Sequence, residues 1–183
     1  MSCWFNMLAM NLWQTISQAI TEATGEPFGA KDHHAVGGGC INSAAKVSDG
    51  SRSYFVKLNS ASTLAMFEAE ADGLRELRKP GAIAVPEPLA TGTAEGQAFI
   101  VMEDMKLGGR GSGAQLGHEL AQLHRATQER FGWFRDNTIG STPQYNSEDH
   151  DWIAFGVSSV LERNWKWQLV RGEAVPCNAK ARN

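Results

Sequence analysis

The apolar positions in the first third of the chain predict one helix followed by three short strands. Leu12, Ile16 and Ile20 recur every four residues, as on one face of a helix, and Thr24-Gly25 ends this pattern. Runs of strand-forming residues follow, and an Asp-Gly pair between the second and third runs predicts a tight hairpin. The predicted strands cover residues 33–36, 41–47 and 53–58.

A second helix and two further strands are predicted next. Helical spacing of apolar residues continues over 62–78, and Lys79-Pro80-Gly81 ends it. Two apolar runs at 89–93 and 98–102 flank Glu95-Gly96, so we expect another pair of strands joined by a turn. These elements predict an α+β fold in which a helix packs on an antiparallel sheet. The apolar stripe of the helix consists of Leu64, Phe67, Ala71, Leu74 and Leu77.

The pattern after residue 105 predicts a linker and a third helix rather than more sheet. Residues 107–113 are Gly-rich, and helical spacing returns over 114–127. Residues 131–155 are aromatic and irregular, and the chain contains no internal repeat. One face of the third helix carries Leu116, Leu120 and Leu123.

Composition and charge exclude several classes of protein. The 183 residues are 42% hydrophobic and 20% charged, which is typical of a globular domain and excludes a disordered or fibrous chain. A net charge of −3 argues against a nucleic-acid partner. No apolar run approaches the roughly 18 residues of a membrane-spanning helix. There is no signal-peptide pattern, and the three scattered cysteines suggest no disulfide framework. We therefore expect a cytoplasmic protein with no membrane partner.

Three glycines, Gly37, Gly38 and Gly39, lie between the first two predicted strands. Because they carry no side chains, they would let backbone N–H groups approach phosphate oxygens closely. An ordinary tight hairpin explains them equally well. The chain has neither a Walker loop nor a Rossmann turn.

Lys57 and Glu70 are charged residues in otherwise apolar surroundings. Lys57 interrupts the apolar run at 55–58, which indicates either a solvent-facing side of the strand or a role in binding phosphates. On a helical wheel Glu70 falls between Leu74 and Leu77, inside the apolar stripe. Because a carboxylate on a buried face needs a cationic partner, we expect Glu70 to pair with Lys57.

The last strand of the predicted sheet ends in Glu103, Asp104 and Met105, just before the Gly-rich linker. In a kinase-type fold this segment is the hinge, and its backbone N–H and C=O groups would bind adenine. A core strand that meets solvent explains the same composition.

With these residues in place, the sequence resembles the fructosamine kinase (ketosamine-3-kinase) family, which shares the protein-kinase-like fold of aminoglycoside phosphotransferases. The resemblance covers about residues 10–155 and rests on several stretches that match in order. They include Val-Gly-Gly-Gly-Cys-Ile-Asn at 36–42, Tyr-Phe-Val-Lys-Leu-Asn at 54–59, and the stretches at 66–70, 85–89, 131–133, 136–140 and 144–152.

The resemblance implies a protein-kinase-like N-terminal lobe over 10–105, where nucleotide binds, preceded by an N-terminal extension at 1–9. Residues 106–155 would form the linker and the start of a truncated helical C-terminal lobe. After Phe155 the resemblance stops and basic residues outnumber acidic ones. We therefore expect 156–183 to be a divergent tail, arising from a frameshift or premature stop, with a natural divergent tail as the alternative.

The activity that the resemblance implies is ATP-dependent phosphorylation of the sugar 3-hydroxyl of ketosamines, either small molecules or protein-bound. By analogy Gly37, Gly38 and Gly39 cover the phosphates, Lys57 orients them and Glu70 positions Lys57. Residues 103–105 would receive adenine, and Mg²⁺ is expected for the intact family enzyme.

The catalytic loop of the family, His-Gly-Asp, occurs nowhere in the 183 residues. No catalytic or metal-binding residue is therefore assigned, and we expect no phosphotransfer activity from this chain alone. A non-catalytic ATP-binding fragment and the product of a disrupted gene are the alternatives. An aminoglycoside or small-alcohol kinase is less favoured, because residues 131–152 match the ketosamine group.

Three smaller features complete the predictions. Cys40 is either a redox-sensitive thiol beside the glycines or a small strand residue. The Asp-His-Asp run at 149–151 is expected to be a solvated loop, because adjacent residues rarely converge on one ion. The leucines of the third helix would be poorly covered, which predicts low stability and self-association.

Overall fold

The computed structural model describes residues 10–37, 41–106, 108 and 111–157. The chain divides into two compact units, with the boundary after Thr127. The first unit contains α1 (Leu12–Thr24), β1 (Asp32–Ala35), β2 (Ser43–Ser48), β3 (Ser53–Ser60), α2 (Leu64–Arg78), β4 (Pro88–Ala94), β5 (Gln97–Glu103) and α3 (Gly113–Leu123). The second contains β6 (Asn137–Ile139), β7 (Thr142–Gln144) and α4 (Trp152–Phe155).

The first unit is built on a five-stranded sheet with the strand order β1-β2-β3-β5-β4. All neighbouring strands are antiparallel, which confirms the predicted α+β fold. Both predicted turns are present. Gly50 (φ 97°) follows Asp49, and Glu95 (φ 49°) precedes Gly96 (φ 75°), so each turn contains a left-handed residue.

Two helices cover opposite faces of this sheet, because side chains alternate along each strand. In β5, Phe99 and Val101 pack in a core with Ile16 of α1. Ala98, Ile100 and Met102 pack on the other face with Phe67 and Ala71 of α2.

The start of α1 is fixed by its own cap and by the sheet. The Asn11 side chain accepts a hydrogen bond from the Gln14 backbone N–H, and the Gln14 side chain accepts one from the Asn11 N–H. Glu95, in the β4–β5 turn, accepts a further bond from the Leu12 N–H at 3.1 Å. This turn therefore holds α1 in place against the sheet.

The apolar stripe of α2 is shorter than predicted. Phe67 and Ala71 are buried, but Leu77, expected in the stripe, is 45% exposed. Leu77 lies in the last turn of a helix that packs on β4 and β5, so the helical period extends the stripe beyond the surface that α2 covers.

The third helix ends at Leu123, four residues before its predicted end, as its last turn tightens. The N–H groups of Arg125 and Ala126 donate to carbonyls three residues earlier. Leu116 and Leu120 are exposed, in agreement with the prediction that this face is poorly covered.

The second unit is more regular than its sequence indicates. The segment predicted to be irregular contains the antiparallel hairpin β6–β7, whose turn includes Gly140 (φ 63°), and the short helix α4. Three-residue strands are too short to show an alternating pattern. Over the stretches that the structure describes, no helix has the length and apolar character to cross a membrane.

Candidate functional site

Lys57 lies on the α2 side of the sheet. Val56 and Leu58, its neighbours in β3, pack in the α1 core, so the alternation of the strand turns Lys57 to the opposite face. Its register partners are Ala44 in β2 and Ile100 in β5, and Ile100 belongs to the α2 core.

Glu70 of α2 pairs with Lys57, as predicted. The Lys57 Nζ donates to Glu70 Oε1 in an ion pair. The side chains are 30% and 27% exposed, respectively. An ion pair as accessible as this contributes about 0–1 kcal/mol to folding. Its main physical effect is therefore to hold the Lys57 ammonium at the boundary between α2 and β3.

A second charged cluster lies where β5 ends. Lys46 of β2 forms an ion pair with Asp104, and the Ser53 hydroxyl donates to the same carboxylate at 2.7 Å. Burial is the largest single influence on the Asp104 pKa and raises it. Hydrogen bonds from Lys46 and Ser53 together outweigh it, so the pKa of Asp104 lies below its ordinary value.

Lys46 and Lys57 lie on the same face of the sheet. One register row runs from His34 through Lys46 and Phe55 to Met102. Lys57 lies two residues beyond Phe55 in β3, and its side chain therefore points to the same face. The side chains of His34 and Lys46 are exposed and half-buried, respectively. Strands β1–β3 therefore present an accessible surface beside α2 that carries two lysine ammonium groups, each paired with a carboxylate.

The Gly-rich turn joins β1 to β2 at one end of this surface. Gly37 is exposed, whereas Gly38, Gly39 and Cys40 lie outside the described residues, so their predicted roles stay predictions. Asn59, two residues after Lys57, donates from its side chain to Asn42 Oδ1 at 2.7 Å. This bond ties the start of β2 to β3, directly after the turn.

The three residues predicted to receive adenine differ in their surroundings. The Glu103 N–H already donates to the Glu87 carbonyl at 2.8 Å, and its exposed side chain lies 3.6 Å from Arg78. Asp104 is held by Lys46, and Met105 is half-buried. Backbone groups at 104 and 105 are thus the better candidates within this segment.

The sequence prediction missed Lys46, Ser53 and Asn59. Lys46 stands between the apolar residues Ala45 and Val47, which is the same signal that singled out Lys57. Its partner Asp104 is far away in sequence, and only the strand order β2-β3-β5 brings them together.

The Asp-His-Asp run at 149–151 caps a helix and carries no metal cluster. The Asp151 carboxylate accepts hydrogen bonds from the N–H groups of Ile153 and Ala154 at the start of α4. No group of three His, Cys, Asp or Glu side chains that could hold a metal occurs among the residues described.

Comparison with known proteins shows the family of this chain. The chain matches the sequence model of the fructosamine kinase family over residues 12–180. It is 44% identical over 147 residues to a Synechocystis protein assigned as a ketoamine kinase, covering 78% of this chain and 50% of that protein. It is 46% identical over 125 residues to a protein-ribulosamine 3-kinase of Arabidopsis thaliana, covering 66% and 38%.

A solved structure shows the same fold. A Haemophilus somnus protein assigned as a fructosamine-3-kinase superposes with a TM-score of 0.76 at 27% identity, covering 90% of this chain and 58% of that one. The fold is therefore that of a protein-kinase-like N-terminal lobe, as predicted. The chain spans about half the length of the relatives it matches.

The family match also corrects one prediction. It continues past Phe155 to residue 180, so the resemblance does not stop at Phe155. The hypothesis of a shifted reading frame also rests on the excess of basic residues in 156–183, and it stays a prediction.

Proposed function

The chain belongs to the fructosamine kinase family, and we propose that it contributes the nucleotide-binding part of the ATP-dependent phosphorylation of the sugar 3-hydroxyl of ketosamines. We place the nucleotide on the α2 side of the five-stranded sheet. The observation that carries this proposal is the ion pair between Lys57 and Glu70, which holds a cation on an accessible part of that face.

The residues of the first unit fit a bound nucleotide. Lys57 would orient the phosphates, and Glu70 would keep its ammonium in position. Gly37, Gly38 and Gly39 would bring backbone N–H groups to the phosphate oxygens. Backbone groups at Asp104 and Met105 would bind adenine. Each role is a proposal, and the ion pairs of Lys57 with Glu70 and of Lys46 with Asp104 on one face of the sheet support it.

The reaction exchanges one bond for another. Bound ATP supplies its γ-phosphoryl group. A bond forms between the sugar O3 and phosphorus, the bond from phosphorus to the β,γ-bridging oxygen breaks, and the hydroxyl proton passes to a base. In this chain Lys57 would hold the phosphates in place for that exchange, a positioning role rather than a chemical one.

The base and the ligands for Mg²⁺ are not assigned to this chain. It contains no His-Gly-Asp loop, and its described residues hold no metal cluster. We therefore propose that these 183 residues bind nucleotide without transferring phosphate. The same observations favour a non-catalytic nucleotide-binding role as the second candidate. The ketosamine acceptor comes from the relatives, which are named ketoamine and ribulosamine kinases.

Nucleotide binding is the first test. The dissociation constant of ATP for the full chain, measured by isothermal titration calorimetry, should rise about 10- to 100-fold in Lys57→Ala. That range corresponds to about 1.5–3 kcal/mol for one hydrogen bond to a charged group.

A matched control separates binding from loss of an ion pair. Lys79 also pairs with a glutamate of α2, Glu76, but at the far end of the helix. Lys79→Ala should leave the dissociation constant unchanged. Equal affinities of Lys57→Ala and Lys79→Ala, or no binding by the wild type, would reject the proposed nucleotide site. ADP formation above the Lys57→Ala background would instead show that the chain is active alone.

A further inference from the structure

The second unit contains a pocket of about 430 Å³ that the nucleotide site does not use. It is lined by residues 133–136 and 146–148. The volume lies within the range of small-molecule sites, about 300–1,000 Å³.

The two lining segments are held together by a buried amide. Asn146 is 7% exposed. Its side chain donates to the Asn137 side chain at 2.9 Å and to the Arg135 carbonyl at 3.2 Å, and its N–H donates to Asp136 at 2.9 Å. The Trp133 N–H donates to the Asn146 carbonyl at 3.0 Å. This network fixes both walls of the pocket relative to each other.

Gly132 permits the close approach of these walls. Its φ is 103°, and a Cβ there would lie 2.6 Å from the Ser147 carbonyl oxygen. Only glycine satisfies both conditions without strain, so the residue that precedes the lining segment 133–136 must be glycine.

The lining combines a half-buried and an exposed aromatic ring with carboxylates. Trp133 and Phe134 meet edge to face with centroids 4.9 Å apart, yet Phe134 is 61% exposed. Asp136 and Glu148 supply two carboxylates to the same lining, which also contains Arg135. A rigid frame thus presents an aromatic surface next to two carboxylates, of which Glu148 lies 3.8 Å from the guanidinium of Arg130.

We propose that this pocket is the subsite for the ketosamine acceptor, an inference that rests on the proposed function. A ketosamine joins a polyhydroxylated sugar to a secondary amine that is protonated at neutral pH. Glu148 would exchange its exposed ion pair with Arg130 for one with that ammonium. Trp133 and Phe134 would contact the cation and the C–H face of the sugar. Asp136 is a positioning residue, since it accepts the Asn146 N–H.

The test measures the dissociation constant of N-ε-fructosyl-lysine for the full chain, without nucleotide, by heteronuclear NMR titration. Phe134→Ala and Glu148→Gln should each weaken binding about three- to tenfold, the range expected for one partly exposed cation–π contact or ion pair. A ligand acetylated on the ε-nitrogen carries no charge on that nitrogen and should bind more weakly than the parent compound.

Two controls match the variants in exposure and location. Trp152 is 60% exposed and lies in the same unit without lining the pocket, so Trp152→Ala should bind like wild type. Glu129→Gln removes an exposed carboxylate outside the lining and should also have no effect. Unchanged circular dichroism verifies that each variant folds.

The outcomes separate this inference from the proposed function. Failure of wild type to bind the ligand, or equal affinity of wild type, Phe134→Ala and Glu148→Gln, overturns the acceptor subsite. An equal loss in Trp152→Ala overturns it as well. ATP titrated into the same samples reports on the nucleotide site alone. ATP binding that depends on Lys57 would leave the proposed function standing when the pocket fails.

Discussion

A side chain at Gly92 in β4 would clash with Phe99, so Gly92→Ala should destabilise the first unit. A Cβ at this position would lie 2.7 Å from Cζ of Phe99 and 3.1 Å from its Cε1. The first distance is roughly 1 Å shorter than the optimal separation of two carbon atoms. Phe99 is 2% exposed and packed in the α1 core, so its ring cannot move into solvent.

The magnitude follows from two opposing effects. Forcing one extra methyl into a packed core costs about 1–3 kcal/mol. Replacing glycine by alanine at a compatible φ stabilises by about 0.4–1 kcal/mol, because the unfolded chain loses freedom. We therefore expect Gly92→Ala to lower the free energy of unfolding by about 1–2 kcal/mol.

Urea unfolding followed by circular dichroism measures this change, and a second substitution tests its cause. Phe99→Leu removes the clashing ring atoms, so the effects of Gly92→Ala and Phe99→Leu should be non-additive by about 1 kcal/mol. Gly29→Ala, where a Cβ meets nothing within 4 Å, is the control and should not destabilise. A Gly92→Ala variant as stable as wild type, or strictly additive effects, would refute the packing argument.

Two further predictions concern the other unit and the charged cluster. Gly132→Ala should lower the free energy of unfolding by about 1–3 kcal/mol, because its φ of 103° and the Ser147 carbonyl both oppose a side chain. Gly156→Ala, where a Cβ would meet nothing within 4 Å, is the control and should not destabilise. Equal urea midpoints of the two variants would contradict this prediction. The folded-state pKa of Asp104 is depressed, so its stabilising effect is present above the unfolded-state pKa near 4 and disappears as pH falls through the folded value. The stability difference between wild type and Asp104→Asn should therefore shrink between pH 6 and pH 3, and a constant difference over this range would show that the carboxylate is not held by Lys46 and Ser53.

Local sequence patterns predicted the sheet and its turns because each depends on a few neighbouring residues. Asp49-Gly50 and Glu95-Gly96 set their hairpins by backbone conformation alone. The pairing of Lys57 with Glu70 was also predictable, since a carboxylate in an apolar helical stripe requires a cation nearby.

The features that the sequence patterns did not predict depend on contacts between residues distant in sequence. Lys46 and Asp104 meet because only β3 separates β2, which carries Lys46, from β5, which Asp104 follows. Leu77 continues the helical spacing of the apolar stripe, but it is exposed because it lies beyond the surface that α2 covers. The frame of the second unit rests on one buried amide, Asn146, whose partners lie nine to eleven residues away and follow no periodic pattern.

The central claim is that Lys57 stands beside the phosphates of bound ATP, and a lysine-reactive acyl-phosphate derivative of ATP tests it most directly. The reagent acylates amines next to the phosphates, and peptide mass spectrometry identifies the modified residue. We predict that Lys57 is labelled, that excess ATP protects it, and that Lys79, at the other end of α2, shows no ATP-dependent labelling. ATP-protected labelling of a different lysine, or none at all, would contradict the account.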